Sequence, residues 1–242
     1  MSRPVRVMGI VNVTPDSFSD GGMYFRPEEA ARRAFNLAKD GADILDLGGE
    51  STRPGATPLA WEEEWSRLEP VFAALTASSR QLPALSVDTY HPETAERALA
   101  AGARIVNCVY AEAIPEMTRV VTRRPGASLV APAACFPTAS DVAALPFDVY
   151  LDPMIGFGTT REEDLALIRG VSELAKRGHV LVGASRKRIV KKLTGVKVAG
   201  KDLAGNLALA LWCARHGAEI VRVHDVFETV QALRVDAVLG GL

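Results

Sequence analysis

Polar and charged side chains follow most of the short apolar runs of this chain of 242 residues. Four of them form one chemical set, with two carboxylates, an amide and an amine: Asp88, Asn107, Asp152 and Lys187. A carboxylate accepts two parallel N–H bonds, so this set suits a flat heterocycle with adjacent N–H donors and a carbonyl. We therefore predict a binding site for a planar, hydrogen-bonding ring.

A second set combines an amide with basic side chains, Asn12 with Arg222 and His224. Two cations beside an amide, near loops rich in Gly, Ser and Thr, suit a phosphate or pyrophosphate with Mg2+ among its oxygens. No convincing Ser-His or Cys-His arrangement indicates a side-chain nucleophile. The predicted chemistry is therefore a group transfer in which pyrophosphate leaves and its developing charge is stabilised electrostatically.

Short β-branched runs alternate with amphipathic segments along the chain, which predicts strands joined by helices. The predicted strands are 5–13, 43–47, 84–87, 104–109, 128–130, 148–151, 179–182 and 219–223. The predicted helices include 27–40, 58–77, 93–101, 162–177 and 202–216. This alternation requires parallel strands with crossover helices, and eight such units close a barrel more naturally than they make an open sheet. The predicted fold is an α/β protein, a (β/α)8 TIM barrel.

In a parallel barrel the active site lies at the C-terminal ends of the strands, where this chain places many polar residues. Besides the two sets above, Asp46 and Glu50 follow the second predicted strand and Ser185 follows the seventh. Each residue alone has a structural alternative, such as capping a helix or lying on a solvated helix face. Seven of the eight predicted strands nevertheless deliver a polar group to one rim. We interpret that rim as an active site.

Glycines mark the ends of several predicted helices. Gly41, Gly102 and Gly217 each stand just before a predicted strand, as helix C-caps do. The irregular segment is 131–147, where only 140–145 has the pattern of a helical turn, so the fifth helix is predicted to be shortened or missing. No linker is apparent, and residues 1–242 are expected to form a single domain.

Charge and apolar content exclude several classes of protein. The 28 Lys and Arg residues balance 29 Asp and Glu, and a net charge of -1 provides no field for nucleic acid or an anionic membrane. Residues 1–13 are interpreted as a strand rather than a signal peptide, and no run approaches the roughly 18 apolar residues that span a bilayer. The three cysteines are widely spaced, so reduced thiols and a cytoplasmic location are expected.

Five motifs carry a resemblance to a known family. The run 9–22, Gly-Ile-Val-Asn-Val-Thr-Pro-Asp-Ser-Phe-Ser-Asp-Gly-Gly, resembles the opening signature of dihydropteroate synthases. The run 41–56, which contains Asp-Leu-Gly-Gly-Glu-Ser-Thr-Arg-Pro-Gly, resembles their second signature, and 86–90, 183–187 and 222–226 resemble later ones. The first two motifs are long and specific, and the resemblance spans nearly the whole chain.

The resemblance implies a transferase of folate biosynthesis that joins 6-hydroxymethyl-7,8-dihydropterin pyrophosphate to p-aminobenzoate and releases pyrophosphate. It implies that the first set holds the pterin, and that Asn12, Arg222 and His224 hold the pyrophosphate, with Mg2+ at Asn12. Thr52, Arg53 and Ser185 would line the p-aminobenzoate side. The residues implied to act in catalysis are Asp88, Lys187, Arg222 and His224. The resemblance also implies a homodimer formed through the outer helices.

The chain departs from the family pattern at four places. Residues 131–137, Ala-Pro-Ala-Ala-Cys-Phe-Pro, replace a motif that contains Met-His and precedes a long helix. Cys108 replaces an Asp and is expected to pack, while Met154 replaces a Gly and adds bulk near the predicted pterin site. His91, where the family often has Lys, is expected to be solvated at the start of a helix.

Two alternative functions remain open on the sequence alone. The altered ends of the fifth and sixth strands are compatible with a non-catalytic, pterin-binding homologue. A pterin-dependent methyltransferase would share the barrel, but it has no use for a pyrophosphate clamp at Arg222 and His224.

The run 62–64 of three glutamates is interpreted as the exposed first turn of a helix, with Trp61 and Trp65 packed inward.

Overall fold

The fold is a closed barrel of eight parallel strands in chain order, in a computed structural model that describes residues 5–14, 27–51, 57–79, 81–198 and 201–240. The strands are β1 Arg6–Asn12, β2 Ile44–Gly48, β3 Ala84–Asp88, β4 Ile105–Asn107, β5 Ser128–Pro132, β6 Val149–Asp152, β7 His179–Val182 and β8 Ile220–Val223. Each of the eight predicted strands is present, and β8 pairs with β1 to close the barrel. The predicted (β/α)8 fold is therefore confirmed.

The barrel interior changes from apolar to polar along the strands. One apolar layer fills it, made of Met8, Ile44, Ile105, Val130, Tyr150, Leu181 and Ile220. Side chains alternate between the two faces of a strand, so the residue two positions further on points to the same side. On several strands that next interior residue is polar: Asp46, Asn107, Asp152 and Arg222. On β3, Ser86 is paired in register with Asp46. This alternation brings polar groups from distant parts of the chain to one end of the barrel.

Helices surround the barrel and bury their apolar faces against it. They are α1 Pro27–Lys39, α2 Trp61–Thr76, α3 Pro92–Ala100, α4 Ile114–Thr122, α5 Ala139–Ala143, α6 Arg161–Arg169, α7 Val171–Ala175, α8 Arg188–Thr194, α9 Leu203–Arg215 and α10 Val226–Val238. The helix predicted over 162–177 is two helices that meet at Gly170. No helix within the described ranges is long and apolar enough to cross a membrane.

The predicted helix-ending glycines adopt the left-handed conformation that such ends require. The φ angles of Gly41, Gly102 and Gly217 are 99°, 108° and 99°, a region that side chains with a Cβ rarely adopt. A Cβ on Gly217 would also lie 2.8 Å from that of Ala175. These glycines turn the chain from the outer helices back into the next strand.

The connection after β5 is short, as the sequence predicts. A single 3-10 turn over Ala133–Cys135 leads into the five-residue helix α5, which begins with a capping box between Thr138 and Asp141. The Arg177 guanidinium donates to the carbonyl oxygens of Ala133, at 2.7 Å, and of Phe136. Backbone carbonyls that a longer helix would pair are thus satisfied by one side chain.

Candidate active site

Most of the predicted site residues lie at the C-terminal rim of the barrel. Asn12, Asp88, Asn107 and Asp152 are the last residues of β1, β3, β4 and β6. Ser185 and Lys187 follow β7, Arg222 lies within β8 and His224 follows it directly. Thr52 and Arg53 lie outside the described residues. The strand ends thus bring the predicted pterin and pyrophosphate sets to the same opening.

Arg222 connects the two predicted sets. Its Nε donates to Asp46 Oδ2 at 2.6 Å, and its Nη2 donates to Asp88 Oδ2 at 2.5 Å. Asn107 Nδ2 donates to the same Asp46 oxygen at 3.0 Å. Asp46 is fully buried, while a fifth of the Arg222 side chain is exposed. The arginine expected on the pyrophosphate side is therefore bound to a carboxylate expected on the pterin side.

Burial and neighbouring charges set the ionisation of this network. Burial raises the pKa of Asp88 to about 7, with Arg222 opposing the rise and Asp46 adding to it. Burial works against the charged form of Arg222, but the Asp46 and Asp88 carboxylates outweigh it and raise the pKa of the guanidinium. Arg222 is therefore a permanent cation, whereas Asp88 changes its charge near neutral pH.

Lys187 lies beside the loop that follows β6. Its Nζ donates to the Ile155 carbonyl at 2.6 Å and lies 4.3 Å from the centre of the Phe157 ring. Burial lowers the pKa of Lys187, and the Asp152 charge opposes that change. Burial likewise raises the pKa of Asp152, and Lys187 opposes it. The Lys187 amine and the Asp152 carboxylate thus lie on the same side of the site, where burial disfavours the charged form of each group.

Met154 has a backbone conformation that favours glycine. Its φ is 64°, and its N–H donates to Asp152 Oδ1 at 2.7 Å. The bond orients the Asp152 carboxylate, and the left-handed turn brings the N–H to it. Met154 therefore carries the strain of a side chain at positive φ, which a glycine at this position would not have.

His224 and Ser185 form a hydrogen-bonded pair. The Ser185 Oγ lies 3.1 Å from His224 Nδ1 and also accepts the His224 N–H at 3.3 Å. Burial, then the charges of Arg186 and Arg222, lower the pKa of His224 to about 4. The imidazole is therefore neutral at neutral pH. The expectation that Arg222 and His224 form a pair of cations is therefore wrong. Burial and the two nearby arginines disfavour the protonated form of the imidazole.

Behind the rim lies a buried group that the sequence analysis did not predict. Glu64 is fully buried, and its Oε2 accepts from Thr89 Oγ1 at 2.7 Å. Burial raises the pKa of Glu64, and the Thr89 bond opposes the rise. A Cβ on Gly49 would lie 2.9 Å from Glu64 Cγ, so the glycine leaves room for this carboxylate. The expectation that Glu64 is exposed is wrong; its helical spacing to Leu68 and Val71, both buried, is the signal that places it on the inner face.

His91 belongs to the same group. Its Nε2 lies 3.4 Å from Glu50 Oε2, and the His91 side chain is only 18% exposed. Glu50 Oε1 also accepts from the Tyr90 hydroxyl at 2.8 Å. The expectation that His91 is solvated is therefore wrong, because its ring packs against the Tyr90 ring, at 4.2 Å between centroids, and lies beside the Glu50 carboxylate.

The cysteines pack as predicted. Cys108 is 1% exposed, its thiol donates to the Tyr110 carbonyl at 3.6 Å, and burial raises its pKa to about 12. Burial also raises the pKa of Cys135, so neither thiol is activated as a nucleophile. All three cysteines are free, as expected for reduced thiols.

Comparison with known proteins identifies the family. A sequence profile described as "Pterin binding enzyme" matches residues 8–144 and 133–224, two matches that overlap in the shortened connection after β5. The dihydropteroate synthase of Neisseria meningitidis serogroup B is 39% identical over 278 aligned positions, which cover 97% of this chain and 93% of that protein. The alignment is longer than this chain, so the relative carries segments that this chain lacks.

Solved structures agree with the sequence comparison. The structure of Xanthomonas albilineans dihydropteroate synthase with 4-aminobenzoic acid superposes with a TM-score of 0.86 at 40% identity, over 98% of this chain and 93% of that one. The same organism's enzyme in complex with 7,8-dihydropteroate has a TM-score of 0.83 at 36% identity, over 98% and 94%. Together with the profile match and the polar rim, these findings show that the chain belongs to the dihydropteroate synthase family of pterin-binding enzymes.

Proposed function

We propose that this chain condenses 6-hydroxymethyl-7,8-dihydropterin pyrophosphate with p-aminobenzoate and releases pyrophosphate, as a step of folate biosynthesis. The observation that carries the proposal is the buried hydrogen-bond network of Asp46, Asp88, Asn107 and Arg222 at the C-terminal rim. The two Xanthomonas albilineans relatives hold 4-aminobenzoic acid in one structure and 7,8-dihydropteroate in the other, an acceptor and a product of this reaction.

The pterin is proposed to lie against Asp88, Asn107, Asp152 and Lys187. Asp88 and Asp152 would accept ring N–H groups when ionised, and Lys187 would donate to a ring carbonyl or nitrogen. Burial of both carboxylates keeps water away, which strengthens each bond to a ligand. A heterocycle with both donors and acceptors on its edge satisfies this set, whereas an apolar ring would leave it unpaired.

The pyrophosphate is proposed to lie near Arg222, His224 and Asn12. Arg222 is the cation that stabilises the charge developing on the leaving group, and the neutral His224 contributes a hydrogen bond rather than a charge. After the leaving group departs, the amine of p-aminobenzoate attacks the pterin methylene carbon and loses a proton. Thr52, Arg53 and Ser185 are proposed to line the side from which the amine approaches.

Mg2+ is proposed to enter with the pyrophosphate. Within the described ranges no group of three or more His, Cys, Asp or Glu side chains would by itself hold a metal. Asn12 fits as one ligand, because its amide oxygen is a hard donor on an exposed residue at the end of β1. Substrate phosphate oxygens and water would complete the shell, and the ion would offset the charge of the leaving group.

The chain is further proposed to act as one domain over 1–242, as a homodimer and in the cytoplasm. Helix α10 presents Phe227, Val235 and Val238 to solvent, and their spacing puts them on one side of the helix. Such an apolar stripe supports contact with a second copy through the outer helices. The three free thiols support a reducing compartment.

The decisive experiment measures pyrophosphate release by the purified protein with the pterin pyrophosphate and Mg2+, with and without p-aminobenzoate, followed by detection of dihydropteroate. Product that depends on p-aminobenzoate is expected. Pterin binding without product would contradict the proposal and favour the non-catalytic homologue, for which the strained Met154 and the short connection after β5 are the specific observations.

A variant separates the pyrophosphate site from the pterin site. Arg222→Ala is unsuitable, because Arg222 also holds Asp46 and Asp88, and its loss would disturb the pterin side. Asn12→Ala removes an exposed side chain instead. We expect it to raise KM for the pterin pyrophosphate while the affinity for 6-hydroxymethylpterin stays unchanged. Equal losses for both ligands would contradict the proposed division of the site.

A further inference from the structure

Asp46 occupies the centre of the polar layer although none of the motif-derived roles includes it. It is the middle residue of β2, fully buried, and its side chain points into the barrel two positions after Ile44. One oxygen, Oδ2, accepts from both Asn107 Nδ2 and Arg222 Nε. A single buried carboxylate oxygen therefore contacts one residue from each proposed substrate-binding set.

The contact with Asp46 determines which way the Asn107 amide faces. Asp46 Oδ2 accepts from the Arg222 guanidinium, so Asn107 turns its NH2 group rather than its oxygen to the same atom. Its Oδ1 is then left as an acceptor, and this oxygen is buried without a hydrogen-bond partner among the described residues. A buried amide oxygen of this kind is satisfied by an N–H donor, which a pterin carries on its edge.

The same oxygen orients the Arg222 guanidinium. With Nε held by Asp46 and Nη2 held by Asp88, the planar group is attached at two points on different strands. Its rotation is therefore restricted before any ligand arrives. Preorganised donors lose little entropy on binding, and they meet developing charge without reorganisation.

We propose that Asp46 is a positioning residue that sets the acceptor orientation of Asn107 toward the pterin and aims Arg222 toward the leaving group. The inference rests on the proposed function and deepens it. It differs from a purely structural role for Asp46 because it requires Asp46 and Asn107 to act on ligand binding as one unit.

The test is a double-mutant cycle read by the affinity for 6-hydroxymethylpterin, which carries no pyrophosphate. Asp46→Ala and Asn107→Ala are each expected to weaken binding on the order of 10-fold or more. Asp46→Ala removes the bond that orients the Asn107 amide, and Asn107→Ala removes the acceptor oxygen that this bond orients. The double variant is expected to lose much less than the product of the two single losses. Asp46→Asn keeps an acceptor oxygen and is expected to restore most of the affinity.

Two controls keep the outcome interpretable. Ser86→Ala alters a buried position that is paired in register with Asp46 and belongs to neither proposed substrate-binding set. It is expected to bind the pterin as the wild-type chain does. If Asp46→Ala does not fold, Asp46→Val removes the acceptor with less loss of side-chain volume, and Arg222 keeps its bond to Asp88.

Three results would overturn the inference: additive losses in the cycle, an Asp46→Asn variant as weak as Asp46→Ala, or a Ser86→Ala variant that loses as much as either. Wild-type binding of 6-hydroxymethylpterin is measured first. If the wild-type chain does not bind it, the proposed function itself fails, and if it binds while the losses are additive, only the role of Asp46 fails.

Discussion

The backbone of Met154 allows a quantitative test of the site's geometry. At φ 64° a Cβ crowds the following carbonyl oxygen, at a cost of about 1–2 kcal/mol that glycine does not have. Glycine loses more backbone entropy on folding than alanine, by about 0.5–1 kcal/mol. Met154→Gly and Met154→Ala both remove the side chain beyond Cβ, so the comparison between them cancels its packing.

The difference of these two effects is on the order of 0.5–1 kcal/mol in favour of Met154→Gly over Met154→Ala. For a chain of this size it corresponds to a higher Tm by roughly 1–4 °C, which thermal or urea unfolding resolves. A matched control is Ala166→Gly on the exposed side of α6, where the same exchange is expected to lower the stability by about 1 kcal/mol.

Glycine in place of alanine is thus expected to raise the stability at position 154 and to lower it at position 166. If Met154→Ala proved as stable as Met154→Gly, the result would contradict the left-handed backbone conformation of residue 154. The N–H bond from residue 154 to Asp152 needs no side chain, so both variants are expected to bind the pterin equally. They are also expected to bind it as tightly as the wild-type chain, and a change shared by both variants would place the Met154 side chain in the pocket.

Three further predictions concern charge, thiols and assembly. Because burial raises the pKa of Asp88 to about 7 and Arg222 only partly opposes it, the affinity for 6-hydroxymethylpterin should fall as the pH drops through about 7. The affinity of Asp88→Asn should not change over the same pH series. A wild-type affinity that does not change with pH would contradict the prediction. The same raised pKa favours folding at low pH, and that contribution is lost as the pH rises through about 7. Cys108 and Cys213 are buried, with pKa values raised to about 12, and should react with a thiol reagent only after unfolding. The half-buried Cys135 should react in the native protein. Rapid reaction of all three thiols in the native protein would contradict the burial of Cys108 and Cys213. Phe227→Asp on the exposed side of α10 should halve the molar mass by light scattering with little loss of stability, and an unchanged dimer would exclude this face as the interface.

The architecture could be predicted because its causes are local. Alternation of β-branched runs with amphipathic segments is a property of neighbouring residues, and glycines at 41, 102 and 217 are needed wherever a helix ends in a left-handed turn. Parallel strands place their C-terminal ends together, so strand-end residues such as Asn12 and Asp152 could be assigned to one rim. The short fifth connection follows from the lack of helical spacing in 131–147.

The pairings within the rim could not be predicted, because they depend on how the strands close. Arg222 and Asp46 are 176 positions apart, and nothing in either motif indicates that they share a hydrogen bond. The chemical types of the residues favoured two separate sets, a pterin set and a pyrophosphate set. Closure of β8 onto β1 puts Arg222 between Asp46 and Asp88 and joins the sets into one network.

Ionisation also required the tertiary structure. His224 looks like a cation in the sequence, but burial beside two arginines makes it neutral, and Glu64 looks like a solvated charge but is enclosed below Gly49. Residue types, the order of strands and helices, and the family could all be inferred from the chain's local patterns and motifs. Which buried charges are paired and which are neutral depends on the folded barrel, because desolvation and the distances between remote residues arise when the barrel closes.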